Sequence, residues 1–224
     1  MAARRRGLLV TFEGGEGSGK STQIARLAAR LRARDVEPTI AREPGGTPLA
    51  EAIRALMLGS EGRPSAIVEA MLVEAARADL VEAVVRPALE AGRIVLCDRF
   101  IDSTLAYQGG GRGLDREFLD SLNHAATGGL RPELTLLLDV DPAVGLERRA
   151  RAASPPNRLD REPAEFHRRV REGFIALARA EPGRFVVLDG TLDPDRLEAM
   201  IWSALEPLMD RLRGAAADRQ HPRS

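Results

Sequence analysis

The residues best suited to chemistry in this chain come early, as Gly14-Gly15-Glu16-Gly17-Ser18-Gly19-Lys20-Ser21-Thr22. Gly14 to Ser21 fits the spacing G-x-x-x-x-G-K-[ST], that of a phosphate-cradling loop. Glycines let backbone N–H groups turn inward around an anion, because a Cβ resists the required angles. A helix opening near Gly19 points the positive end of its dipole at the same place. Lys20 is then placed to reach the β and γ phosphates of a nucleotide, and the Ser21 hydroxyl to ligate Mg²⁺. Lys20 is the only lysine; every other one of the 33 lysine and arginine residues is arginine. A planar guanidinium does not replace a compact ammonium among backbone amides, which accounts for the exception.

Further polar groups fall at the ends of apolar runs: Arg42-Glu43, Asp98-Arg99 and Asp139. Arg99 beside a phosphate loop is placed to grip a second phosphate with a bidentate fork, and Asp98 is a second candidate for the metal ion. Arg77 lies within an apolar helical stretch and needs an anion, either a structural carboxylate or a substrate phosphate. Arg148, Arg149, Arg151, Arg158 and Arg161 surround Ala153-Ser154-Pro155-Pro156, which predicts a lid over phosphates at about 148–161. A phosphate acceptor is largely ionised near neutral pH and requires no general base. The scattered His124, His167 and His221 and the lack of a Ser-His-Asp arrangement agree with that, and Cys97, in an apolar strand, reads as a buried thiol.

The elements that must position these groups follow from periodicity. Apolar runs at 8–12, 36–40, 93–97, 134–138 and 185–188 predict five short strands. Helices are predicted at 21–34, from an N-cap at Thr47 to Leu58, and at 65–85, punctuated by Pro87 and Gly92. Others are predicted from Ser103, then at 115–126, 142–150, 163–180 and 194–212. Gly109 to Gly113 reads as a loop and 214–224 as a disordered tail. Strands alternating with helices predict an α/β chain, a five-stranded parallel sheet flanked by helices on both faces, as one domain over 1–213. Ligands in such sheets bind beyond the carboxyl ends of the strands, where the polar groups above fall.

The chain has 224 residues, 44% hydrophobic and 29% charged, with a formal net charge of zero. That balance predicts no nucleic-acid partner, and no apolar run is long enough for a membrane span. A single cysteine fits a reducing compartment, and the cytoplasm is expected.

In this order, Phe12-Glu13-Gly14 with the phosphate loop, Arg42 to Pro48, Asp98-Arg99-Phe100 and Asp102 to Gly109 resemble the blocks of bacterial thymidylate kinases. Arg149-x-Arg151 and Phe166 to Phe174 resemble that family's lid and following helix. The resemblance covers about Gly7 to Gly190. It implies the three-layer fold of P-loop nucleoside triphosphate hydrolases, transfer of a phosphoryl group from ATP to dTMP with Mg²⁺, and a homodimer. By position it implies ATP at Gly14 to Thr22 and dTMP at Glu16, Arg42, Glu43, Arg77, Arg99, Tyr107 and Gln108. Gly17 stands where one subclass has a catalytic arginine, so that role passes to Arg149 or Arg151, alongside Lys20 and Arg99. The chain departs from the family at Val73, usually an aromatic stacked on thymine, at Ala78-Asp79-Leu80, and at Asn157-Arg158-Leu159-Asp160. Two alternatives stay open: a monophosphate kinase with another base preference, such as dUMP, and a non-catalytic nucleotide switch.

Overall fold

The computed structural model describes residues 7–59, 64–151 and 156–220. The first apolar run forms β1 (Leu8–Glu13), buried throughout. The remaining strands are β2 (Thr39–Arg42), β3 (Ile94–Asp98), β4 (Leu134–Asp139) and β5 (Phe185–Asp189). All pair in parallel, in the order β2-β3-β1-β4-β5. Parallel pairing puts every carboxyl end on one rim, with Phe12 opposite Asp98 and Arg42 opposite Asp98.

Side chains alternate across a strand, so each face of the sheet needs its own cover. Leu8, Val10 and Phe12 point to the face packed by α1 (Lys20–Arg32) and α9 (Pro194–Gln220), through Leu27, Leu31, Ile201 and Leu205. Leu9, Val95 and Cys97 point to the other face, under Leu80, Val85 and Phe100. On that side the cover is α3 (Ala66–Leu80) and, towards β4 and β5, α8 (Ala164–Ala180), which buries Phe166, Val170 and Phe174. The remaining helices are α2 (Pro48–Leu58), α4 (Arg86–Glu90), α5 (Ile101–Thr104), α6 (Arg116–Thr127) and α7 (Pro142–Ala150). The α2 N-cap is Thr47, whose hydroxyl accepts from Ala50 N at 3.1 Å.

Four expected boundaries shift. The second strand is Thr39–Arg42 rather than 36–40, because Pro38 has no N–H for the ladder. The helix ending at Val85 instead runs through a π-helical turn, Val81–Val85, into α4, so Pro87 does not end it. Proline in the first turn of α4 fits a place where the helical ladder is already interrupted. Gly109 to Gly111 are not a loop but belong to a π-helical segment, Leu105–Gly111. Their glycines serve close packing: a Cβ on Gly111 would lie 2.5 Å from the Phe166 ring, and one on Gly110 3.0 Å from the Arg169 carbonyl. The last helix continues to Gln220, through most of the segment expected to be disordered. The expected breaks near Gly59 to Pro64 and Ala153 to Asn157, and the end of the tail, fall largely outside the described residues.

Candidate active site

β1 ends at Glu13 and α1 begins at Lys20, so the phosphate loop joins a central strand to a helix N-terminus. Gly14, Gly17 and Gly19 all have positive φ, at 134°, 64° and 96°. At Gly17 the conformation coincides with a close approach: a Cβ there would lie 1.9 Å from the Gly145 carbonyl of α7. A Cβ on Gly145 would in turn lie 2.2 Å from the Glu16 carbonyl. Two bare backbones thus press α7 against the loop, and no side chain fits at position 17.

Lys20 is buried, and its ammonium donates to the carbonyls of Gly14 and Gly15 at 3.1 and 2.8 Å and to Ser18 Oγ at 3.1 Å. Burial first, and the Arg99 guanidinium second, lower its pKa to about 8. Ser21 Oγ donates to Asp98 Oδ2 at 3.2 Å, bringing the loop hydroxyl and the strand-end carboxylate together.

Arg99 follows β3 with φ of 70°, unusual for a non-glycine residue and compatible with a functional constraint. Its guanidinium donates to the Gly14 carbonyl at 3.0 Å and to Glu16 at 2.9 Å, and lies 4.9 Å from the Tyr107 ring centre. The Tyr107 hydroxyl donates to the same Glu16 oxygen at 2.8 Å. Burial alone raises the Glu16 pKa, but Arg99, Lys20 and the Tyr107 hydroxyl outweigh it and bring it to about 2. Glu16 is therefore a fixed anion that holds Arg99 and Tyr107 in line. Behind the loop, Glu13 accepts from Phe100 N at 2.8 Å and Ser103 Oγ at 2.6 Å. Burial and the neighbouring Asp102 raise its pKa to about 8.

Two cavities meet here. The larger, about 760 Å³, is lined by the loop from Glu16 to Gln23, with Arg42, Asp98 and Arg99 on one side and Arg148, Arg149 and Gly190–Pro194 on the other. The smaller, about 90 Å³, has an apolar wall of Pro44, Met57, Leu58, Val73 and Leu159, with Arg77, Tyr107 and Gln108 opposite. Glu16, Glu43, Arg54, Arg99 and Asn157 line both.

The predicted residues are mostly drawn together, with four qualifications. Gly14 and Gly15 do not line the larger cavity; their carbonyls hold Lys20 behind it. Arg42 lines the larger cavity rather than the smaller one and is paired with Glu51 at 2.5 Å. Arg77 reaches the smaller cavity but is 1% exposed, bonded to Glu43, Glu74, Asn123, Thr104 and the Phe100 carbonyl. Of the two anions it could have served, structural carboxylates hold it, and both Glu43 Oε1 and Glu74 Oε2 remain without partners. Burial raises the Glu43 pKa to about 7 despite Arg77. Arg151 points away, paired with Glu147 at 2.5 Å, whereas Arg149 lines the larger cavity and pairs with Asp160 at 3.2 Å.

Asn157, a wall residue, falls within the lid expected at about 148–161, whereas sequence reasoning missed Arg54 and the Gly190–Pro194 segment as cavity walls. That segment follows β5, so the strand-end rule could have found it. Arg54 lies inside α2 with no local signal; its place depends on α2 packing against α3.

The profile of the thymidylate kinase family matches residues 12–201. A thymidylate kinase of Deinococcus radiodurans is 54% identical over 199 residues, covering 89% of this chain and 96% of that protein. One from Thermomicrobium roseum is 53% identical over 205 residues, covering 91% and 97%. The crystal structure of a thymidylate kinase from Ehrlichia chaffeensis superimposes with a TM-score of 0.73 at 33% identity, over 90% of this chain and 99% of that one.

Proposed function

The chain belongs to the thymidylate kinase family, and from that premise we propose that it transfers the γ-phosphoryl group of ATP to the phosphate of dTMP, giving ADP and dTDP. The observation that carries this reading is the junction of the two cavities at Glu16, Glu43, Arg54, Arg99 and Asn157. The larger cavity takes the triphosphate on the loop. The smaller, with its apolar wall and the Gln108 amide, takes the pyrimidine. The two phosphate groups then face each other across Arg99.

Such an acceptor is already an anion, so catalysis consists of positioning and charge neutralisation rather than proton abstraction. Lys20 supports the transferring phosphoryl group and Arg99 steadies the acceptor phosphate. Arg149 adds cationic charge from the lid side, which we take to span about 148–161 of a single catalytic domain over 1–213. Arg77 serves by holding Glu43 and the wall of the base pocket. Ser21 and Asp98 would hold Mg²⁺: a hydroxyl and a carboxylate, both hard oxygen donors, suit an ion that keeps water and phosphate as its other ligands. When bound, the ion supplies positive charge at phosphate oxygens.

We further read the protein as a cytoplasmic homodimer. Cys97 is a free, buried thiol, and no helix among the described residues is long and apolar enough to cross a membrane. The packed pair α2 and α3 leaves Leu49, Leu56, Ile67, Val68 and Met71 exposed, an apolar surface that suits a second copy. Sedimentation at micromolar concentration tests this, and a monomer would refute it.

The kinase reading is tested by ADP release from ATP with dTMP, dUMP, dCMP and dGMP, each with Mg²⁺ or with EDTA. Release should require the monophosphate and the divalent ion and be fastest with dTMP. Release without any monophosphate would favour a nucleotide switch, and equal rates with dTMP and dCMP would remove thymine selection.

A further inference from the structure

Glu69 on α3 is 1% exposed and lies behind the wall of the smaller cavity rather than in it. Three donor residues converge on its carboxylate, two from the π-helical segment Leu105–Gly111 and its cap and one from the lid segment. The Gln108 amide nitrogen donates at 2.8 Å, Arg112 at 3.0 and 3.2 Å, and Arg158 at 2.6 Å. Arg158 comes from the lid segment, and its Nε also donates to the carbonyl of Met57, a wall residue, at 3.0 Å. A carboxylate of this kind only accepts hydrogen bonds. Gln108 must therefore turn its NH₂ group towards Glu69, which leaves its carbonyl oxygen for the cavity that Gln108 lines. A carbonyl there accepts from the ring N–H at position 3 of thymine or uracil. Cytosine carries a lone pair at that position and would face oxygen with no proton between.

We infer that Glu69 is a positioning residue for base choice: it locks the Gln108 amide in the orientation that accepts from a pyrimidine ring N–H, and through Arg158 it anchors the lid to the same carboxylate. The inference rests on the smaller cavity being the acceptor site. It makes base reading and lid anchoring one unit, because a lid that pulls Arg158 away also removes charge from the group that orients Gln108.

Glu69→Gln tests this, since its near-isosteric amide both donates and accepts and leaves Gln108 free to turn over. With folding verified by thermal melting, the ratio of kcat/KM for dTMP over dCMP should fall at least tenfold, chiefly through the KM for dTMP. Hydrogen exchange over 156–161 should rise. Equal losses with both acceptors, leaving the ratio within twofold, would overturn the proposal, because general loosening of the fold does not distinguish bases. In a Gln108→Met background Glu69→Gln should leave the ratio unchanged; a second drop of similar size would also overturn it. Should Glu69→Gln not fold, Arg158→Lys removes the guanidinium fork, and lid exchange should rise while the ratio falls at least threefold. No change in either refutes the anchor. If the unaltered protein phosphorylates no nucleoside monophosphate, the kinase reading fails instead, and the exchange measurement still decides whether Glu69 anchors the lid.

Discussion

Lys20 donates to three loop acceptors through one small ammonium, a geometry a guanidinium fork cannot copy. Lys20→Arg should therefore lower kcat by roughly 10²–10³, the range for loss of one positioned charge-stabilising donor. Steady-state ADP release checks this, and full activity would remove the role given to Lys20. Val73 tests the opposite side of the site. It lines the smaller cavity as a small aliphatic, and with the base placed there Val73→Phe should supply a stacking surface. A gain of about 1–3 kcal/mol is the scale of base–aromatic stacking, so the KM for dTMP should fall at least roughly fivefold. An unchanged KM would mean that Met57, Pro44 and Gln108 already hold the base.

Elements decide which of the arginines at the end of α7 reaches the larger cavity. Arg149 lies in the last turn of α7 and Arg151 caps it with helical backbone, and two residues along a helix turn a side chain through more than half a revolution. Accordingly Arg149 lines the larger cavity, whereas Arg151 pairs with Glu147 on the outside. Arg149→Gln should reduce kcat by at least about tenfold more than Arg151→Gln, a comparison made under saturating substrates. The same distinction marks what the sequence made legible. The phosphate loop, the Thr47 cap and the strand-end pairs Asp98-Arg99 and Arg42-Glu43 were readable because their signals are local. Arg77 was readable as needing an anion, but its partners Glu43, Glu74, Thr104 and Asn123 come from four separate places along the chain. Gly109 to Gly111 read as a loop because nothing nearby in sequence reveals that α8 presses on them. Arg54 was invisible for the same reason: only tertiary packing brings it to the cavities.

Across the whole molecule, the buried carboxyls behind the site tie stability to pH. Glu13 has its pKa raised by burial and by Asp102 from 4.5 to about 8, and Glu43 is raised by burial to about 7. Between the unfolded and folded values the native protein binds more protons than the unfolded chain. Stability should therefore be greatest at the acid side of this window and fall as pH rises through it, by at most ~1.4 kcal/mol per pH unit for one group. Melting temperatures between pH 5 and 9 measure the slope. Glu13→Gln should flatten the part near pH 8, and an unchanged slope would place the linkage elsewhere.

The contact between Gly17 and Gly145 also limits how this enzyme could change over generations. An arginine acquired at position 17 would meet the Gly145 carbonyl at once, and any side chain at 145 would meet the Glu16 carbonyl. Gly17→Arg alone should leave little soluble, active protein, which a melting scan and a turnover assay would register together. A lineage with this chain thus has no single-step route to a loop arginine. The arginine would have to displace α7, the element that carries Arg149.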